Sequence, residues 1–341
     1  MAMPRTLQRA QLQRAARHAS TGSAPHVAGG SAQPEWSDGF APLQREHRLS
    51  AADAAALGAF AAGAGRALAV VTGAGLSTAS GIPCYRGERG SYSLGHKPMQ
   101  HQEFVAGGFH QKRYWARSLR GWRYFSEREP NRAHAALAAM ERSDLVSGLV
   151  TQNVDRLHQQ AGSTNVVDLH GRNDRCICLE CRRVEARPSF QGRVERANAG
   201  WMRKFSISAA EWGAADIRAD GDAEIGDADY RAFAVPPCLE CSGVMMPDLT
   251  FFGGNIEQSV KDAASQIIAD ATRVLILGST MQTFSAVRMA RQAKAEGKEI
   301  AIVTVGESRV DELCDLRVEA RVDDALDAIC DHLDIAYQER P

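Results

Sequence analysis

A chain of 341 residues, 44% apolar and 24% charged, is long enough to bury a sizeable core and to form one large domain with a smaller companion. Its formal net charge of -1 argues against a polyanion as the main ligand. Eight cysteines are too few for a disulfide scaffold, and no apolar run reaches the roughly 18 residues that span a bilayer.

Residues 1–45 are predicted to be a leader. Arg5, Arg9, Arg14 and Arg17 all precede the first acidic residue, Glu35. Two readings stand: an Ala/Arg-rich disordered segment, or a mitochondrial transit peptide. Ser50 is placed to cap a helix over 51–62, and residues 67–71 (ALAVV) read as a short buried strand.

The run GAGLSTASGIPCYRG at 73–87 follows that strand after one residue, Thr72. Gly73 and Gly75 lack side chains, which would let a pyrophosphate approach backbone amides. Thr78 replaces the third glycine of a full dinucleotide fingerprint, so an ordinary tight turn remains the alternative.

Apolar runs at 145–150, 274–277 and 300–305 have strand length, and helical patterns at 256–270 and 284–296 separate the later ones. This alternation predicts an α/β fold with a Rossmann-like, doubly wound parallel sheet. TQNVD at 151–155 puts Gln152, Asn153 and Asp155 at the C-terminal edge of a strand, where such sheets bind ligands; helix capping by Asn153 or Asp155 is the other reading. A strand over 167–170 is predicted to end at His170, before Gly171, and an imidazole is suited to taking and returning a proton.

Cys178 with Cys181 and Cys238 with Cys241 form two Cys-x-x-Cys pairs, the ligand set of a tetrahedral zinc ion. The pairs bracket a polar stretch, so 173–249 is predicted to be a zinc-binding small domain inserted into a nucleotide fold over 46–172 and 250–341. Four thiolates leave no open coordination position, which makes the metal structural. Cys176, Cys314 and Cys330 have no partner motif and read as small core residues.

In this order, GAGLSTASGIP, TQNVD, LHG and the two cysteine pairs resemble the sirtuin family of NAD-dependent protein deacylases over about residues 55–335. The segment RYWARSLRGW at 113–122 is similar to the class II branch of mitochondrial lipoamidase-type sirtuins. The resemblance implies that NAD is cradled by Gly73, Ala74, Gly75, Ser77 and Thr78, with Ile82, Cys84, Tyr85 and Arg86 near its nicotinamide half. It implies that Gln152, Asn153 and Asp155 hold the nicotinamide ribose, with Asn153 and His170 catalytic and His170 the general base. Gly278, Ser279 and Thr280, then Thr304, Val305, Gly306 and Val322, would flank the adenosine. Phe251, Phe252 and Gly253 would border the acyl-lysine tunnel, and Tyr114 with Arg117 have the spacing that holds an acidic acyl group in desuccinylating members.

The implied reaction transfers an acyl group from a protein lysine to ADP-ribose and releases nicotinamide and O-acyl-ADP-ribose. NAD is then co-substrate and one zinc ion is structural; acylated protein lysines are the partners, with neither nucleic acid nor a membrane, in the cytoplasm or in the mitochondrial matrix. Protein mono-ADP-ribosylation and a catalytically weakened NAD sensor are the alternatives. Three positions depart from the family pattern: Cys84 stands where aspartate is common, Gly254 where glutamate is, and Thr304 where asparagine is.

Overall fold

The computed structural model describes residues 48–86, 90, 92, 95, 97–205, 223, 225 and 229–338. The leader predicted over 1–45 lies outside the described residues. In chain order, helix α1 (Ala51–Gly63) leads to strand β1 (Leu68–Thr72), and α2 (His101–Val105), α3 (Phe109–Ser126) and α4 (Arg132–Arg142) precede β2 (Val146–Thr151). After α5 (Leu157–Ala161) and β3 (Val166–Asp168) come β4 (Gly171–Cys178), β5 (Val184–Ala186), α6 (Arg187–Ala197), α7 (Ala199–Lys204) and β6 (Met245–Leu249). The chain closes with α8 (Gln258–Asp270), β7 (Arg273–Leu277), α9 (Phe284–Ala295), β8 (Glu299–Val303), β9 (Leu316–Val318) and α10 (Val322–His332).

Local chemistry explains the first elements. The Ser50 hydroxyl accepts the Asp53 amide at 3.0 Å and starts α1, as its position predicts. Successive residues of β1 point to opposite faces and both faces are covered. Leu68 and Val70 join a core with Leu57, Leu137 and Leu326, while Ala69 and Val71 join one with Ile268, Val287 and Ile302. A strand buried on both sides reads as a continuous apolar run, which is why ALAVV was legible.

The large sheet has the order β3-β2-β1-β7-β8-β9 and is parallel throughout. Strand order reverses direction between β1 and β7, so a crevice opens beyond their C-terminal ends. A second, antiparallel sheet, β5-β4-β6, lies in the chain between β3 and β7.

The core around this small sheet extends beyond 173–249. Met99, Phe104, Tyr114, Trp115 and Leu119 share it with Phe190, Trp201 and Phe233. Trp115 is fully buried, and its Nε1 donates to the Met245 carbonyl at 3.1 Å. Burial of such a ring contributes about 2–3 kcal/mol. The Arg187 guanidinium, also buried, stacks over Trp115 and Trp122 and donates to the Ser118 hydroxyl at 3.1 Å, tying α6 to α3.

Two strand expectations need correction. β3 ends at Asp168, so His170 stands in the turn after it, beside Gly171 with φ 80°. β8 ends at Val303, which leaves Thr304 and Val305 in the loop before Gly306, where φ is 78°.

Candidate active site

The site is assembled at the β1/β7 reversal. Residues Ala74–Ser80 form a 3-10 helix directly after β1. The Gly73 and Gly75 amides donate to the Leu277 and Gly278 carbonyls at 3.0 and 2.9 Å. A Cβ on Gly75 would come within 2.8 Å of the Gly278 carbonyl, and one on Gly73 within 2.7 Å of Ser279 Cβ. The glycines therefore let two strand-end turns interlock, and these two amides are taken by protein carbonyls rather than left for a phosphate.

Side chains from the segment that follows β2 complete the network. Asn153 Nδ2 donates to the Gly73 carbonyl and the Ser77 hydroxyl, each at 3.0 Å. Ser77 in turn donates to Asp155 Oδ2 at 2.7 Å, and Asp155 Oδ1 accepts the Leu157 amide at 2.9 Å. Asp155 thus also caps the start of α5. Burial pushes its carboxyl above the usual range, opposed by these two hydrogen bonds. Gln152 Nε2 reaches Ser279 Oγ at 2.9 Å and ties β2 to β7.

His170 has two partners. Its Nδ1 lies 3.1 Å from the Gln152 carbonyl, which only accepts, so Nδ1 carries the proton of the neutral ring. Nε2 then presents its lone pair to the Ser285 hydroxyl at 3.0 Å. Burial lowers the His170 pKa below its ordinary value and the Gln152 bond partly offsets this, so the ring is neutral at pH 7. Ser285 was not singled out from sequence; the only local signal is the Thr283 cap that begins α9.

Other predicted residues surround this network without joining it. Tyr85 and Tyr92 have ring centroids 6.1 and 6.4 Å from Phe252, and Arg86 lies over Tyr92 at 4.9 Å. Tyr92 was missed because only folding brings it to Phe252. Phe251 is buried against Tyr114, their centroids 5.0 Å apart, and Gly253 turns with φ 74°. Arg117 is buried, and its Nε donates to the Ala223 carbonyl at 3.2 Å. Ile82 packs on Phe125 and Leu157, Val322 lies in the main core, and Thr304 donates its amide to the Val318 carbonyl. Ala74, Thr78 and Cys84 are not buried, and Thr280 follows Ser279 on the loop after β7. Val305 is half-buried, and the Gly306 amide reaches Glu319 at 3.3 Å.

Away from the crevice, the thiols of Cys178, Cys181, Cys238 and Cys241 all lie within 4.8 Å of one another. The Cys178–Cys241 and Cys181–Cys238 separations are 3.5 and 3.6 Å. A zinc ion with bonds of about 2.3 Å sets sulfurs about 3.8 Å apart in a tetrahedron, so the residues fit the ion. Each pair sits in the same knuckle, closed by a left-handed residue, Arg182 with φ 62° or Ser242 with φ 60°. Cys176 stays outside, fully buried, its thiol pushed up to about 12 by burial.

A neutral histidine at the reversal point of a parallel sheet, in a chain that also carries a four-cysteine cluster, marks an α/β fold with a dinucleotide-type crevice. The chain belongs to the Sir2 family, the sirtuins, whose profile matches residues 73–285. It is 44% identical over 264 residues to NAD-dependent protein deacetylase 1 of Streptomyces coelicolor, covering 77% of this chain and 85% of that protein. It is 40% identical over 271 residues to an NAD-dependent protein deacylase of Arabidopsis thaliana, covering 77% and 72%. A solved structure of Sir2 with a p53 peptide and NAD+ superposes with a TM-score of 0.60 at 25% identity, over 80% of this chain and 95% of that one. Another, from work on the mechanism and regulation of Sir2 enzymes, gives 0.62 at 24%, over 83% and 98%.

Proposed function

We propose that this chain is an NAD-dependent protein-lysine deacylase. The observation that carries the reading is His170: a neutral imidazole, its tautomer fixed by the Gln152 carbonyl, with its Nε2 lone pair already engaging a hydroxyl. Such a group takes a proton from a hydroxyl without itself having to be deprotonated at pH 7.

The crevice residues suit a dinucleotide. Hydroxyl and amide side chains from Ser77, Gln152, Asn153 and Ser279 converge there, with Asn153 and Ser279 both buried. When bound, NAD would supply a ribose carbon to take the acyl oxygen and nicotinamide as the leaving group, and with one water consumed the products would be the free lysine amine, nicotinamide and O-acyl-ADP-ribose. The protein's part is to orient and to move one proton. His170 takes that proton at Nε2, and the Gln152 carbonyl, still accepting from Nδ1, favours the imidazolium. Both amide protons of Asn153 are fixed by Gly73 and Ser77, leaving its Oδ1 for a ligand. Tyr85, Tyr92 and Phe252 form an aromatic cluster, with ring centroids 5.8 to 6.4 Å apart, that offers an apolar surface on the substrate side. Cys178, Cys181, Cys238 and Cys241 would hold zinc as a staple, with no open position at which to activate water.

The test is mass spectrometry of the protein with NAD and acetyl-, butyryl-, lipoyl-, methylglutaryl- and succinyl-lysine peptides, beside His170→Ala. Peptide deacylation matched by O-acyl-ADP-ribose and lost in the variant is expected, and the panel identifies the acyl class. ADP-ribose attached to protein, with the peptides untouched, would replace this reading by mono-ADP-ribosyl transfer.

A further inference from the structure

Helix α9 begins beside the catalytic base, since Ser285 is the hydroxyl on His170 Nε2. The residue before it, Phe284, is 79% exposed, the most exposed large apolar side chain among the described residues. Arg288 and Arg291 follow at spacings of four and three, which puts them on the same helical face, and both are exposed. Arg309 joins from the next loop, its guanidinium 4.8 Å from the Phe284 ring centroid and held by the Gln282 carbonyl at 3.0 Å.

None of these three arginines has a carboxylate partner among the described residues. Of the acids on neighbouring elements, Asp315 is engaged with Lys294 at 2.7 Å, Glu296 with Lys298 at 2.9 Å and Asp311 with Arg317 at 3.2 Å, while exposed Glu312, three residues after Arg309, makes no ion pair with it. Glu307, two residues before Arg309, makes no ion pair with it. The face therefore holds three uncompensated positive charges and one exposed aromatic ring on a chain whose net charge is only -1.

We infer that this face is where the protein substrate docks, and that it selects acyl-lysines flanked by acidic residues. The inference rests on the deacylase reading for the identity of the partner. Charge complementarity and continuity with the base select the occupant: a segment that delivers its lysine to His170 comes beside the start of α9, where Ser285 engages the base and Phe284 is exposed. Arg288 and Arg291 lie about 6 and about 10 Å beyond Phe284 along the helix axis, at about 1.5 Å per residue. An extended peptide advances about 3.3 Å per residue, so the favoured Asp or Glu stands about two to three residues from the lysine. Phe284 packs on the aliphatic part of the intervening side chains.

The experiment uses the full zinc-containing chain and its Arg288→Glu/Arg291→Glu double variant. Both are assayed on peptides with Asp, Ala or Arg two to three residues to either side of the acyl-lysine, and on a blocked acyl-lysine with no flanks. Binding of the same peptides is followed by fluorescence anisotropy. Wild type should show kcat/KM about tenfold higher for the acidic peptide than for the alanine peptide, shrinking at high ionic strength. The double variant should reverse the preference while turning over the blocked acyl-lysine as wild type does. Equal kcat/KM and equal binding across the flanks would overturn the inference. So would binding of anionic vesicles or duplex DNA that the double variant loses while peptides go undiscriminated, since the face would then serve a polyanion. Charge-selective peptide binding without any turnover, even of the blocked acyl-lysine, would keep the docking face and reject the deacylase reading.

Discussion

Lowering the pH should destabilise the fold through a histidine outside the catalytic centre. His158, on α5, is fully buried; its Nε2 lies 3.0 Å from the Thr72 hydroxyl, and its Nδ1 has no partner among the described residues. The His134 ring is 4.9 Å away, also buried, with an unpartnered Nε2. Burial lowers the His158 pKa from 6.5 to about 3 and takes His134 well below 6.5. A folded-state pKa below the unfolded one stabilises the fold fully above pH 6.5, and this contribution fades as pH falls and only the unfolded chain gains the proton. Between pH 7.5 and pH 5, His158 alone should remove about 2 kcal/mol, from a limit of about 1.4 kcal/mol per pH unit. Urea unfolding at both pH values, on wild type and His158→Gln, isolates the effect because every other titrating group is common to both. The wild-type loss should exceed the variant's by about 2 kcal/mol. Equal losses would mean that His158 takes up its proton in the native state, and the reasoning from burial would fail.

Three further outcomes are expected. The acid limb of kcat/KM should fall below pH 6.5, because His170 must be neutral to act and burial depresses its pKa; a limb at or above 6.5 with no unfolding in a denaturation control would refute this account of His170. Gly75→Ala should lose about 1–3 kcal/mol in urea unfolding, as its Cβ must displace the Gly278 backbone; unchanged stability would show that the turns part freely. Cys84→Asp should strengthen NAD use or nicotinamide inhibition by about tenfold to a hundredfold, since a hydrogen bond to a charged group contributes about 1.5–3 kcal/mol and a thiol accepts poorly. Identical kinetics and inhibition would make Cys84 a neutral replacement.

What sequence revealed, and what it hid, follows from how local each signal is. The zinc residues were legible because metal chemistry fixes both ligand type and spacing, and each knuckle closes within six residues, Cys178 to Arg183 and Cys238 to Gly243. β1 and β7 were legible because burial on both faces leaves only apolar residues. The role of Gly75 was half legible: a residue without Cβ is needed there, but the reason lies in Gly278, some 200 positions away, whose carbonyl accepts the Gly75 amide. Ser285 was hidden because a serine in the first turn of a helix is ordinary, and nothing nearby announces His170. Asp155 answered to two readings at once, as cap and as crevice residue, because its two carboxylate oxygens serve different partners. Gly254 gains a reason as well, since a Cβ there would lie 2.9 Å from the Phe251 carbonyl, and the loop has no room for a family-type glutamate as it stands.

The shared core of the small lobe has a consequence for synthesis. Trp115 and Tyr114 leave the ribosome long before Cys238 and Cys241, and Trp115 waits 130 residues for the Met245 carbonyl that takes its indole N–H. Through that interval Tyr114 can meet Phe104 and Trp115 can meet Phe190, but the Met245 and Phe251 side of their packing is still missing, which leaves apolar surface open to association. Zinc can close the lobe only once the second knuckle has emerged. A fragment limited to 171–249 would hold all four thiolates and still lack seven of the sixteen buried residues of that core. The lobe is therefore completed late and from both sides, and metal supply during translation should govern how much of the protein escapes aggregation.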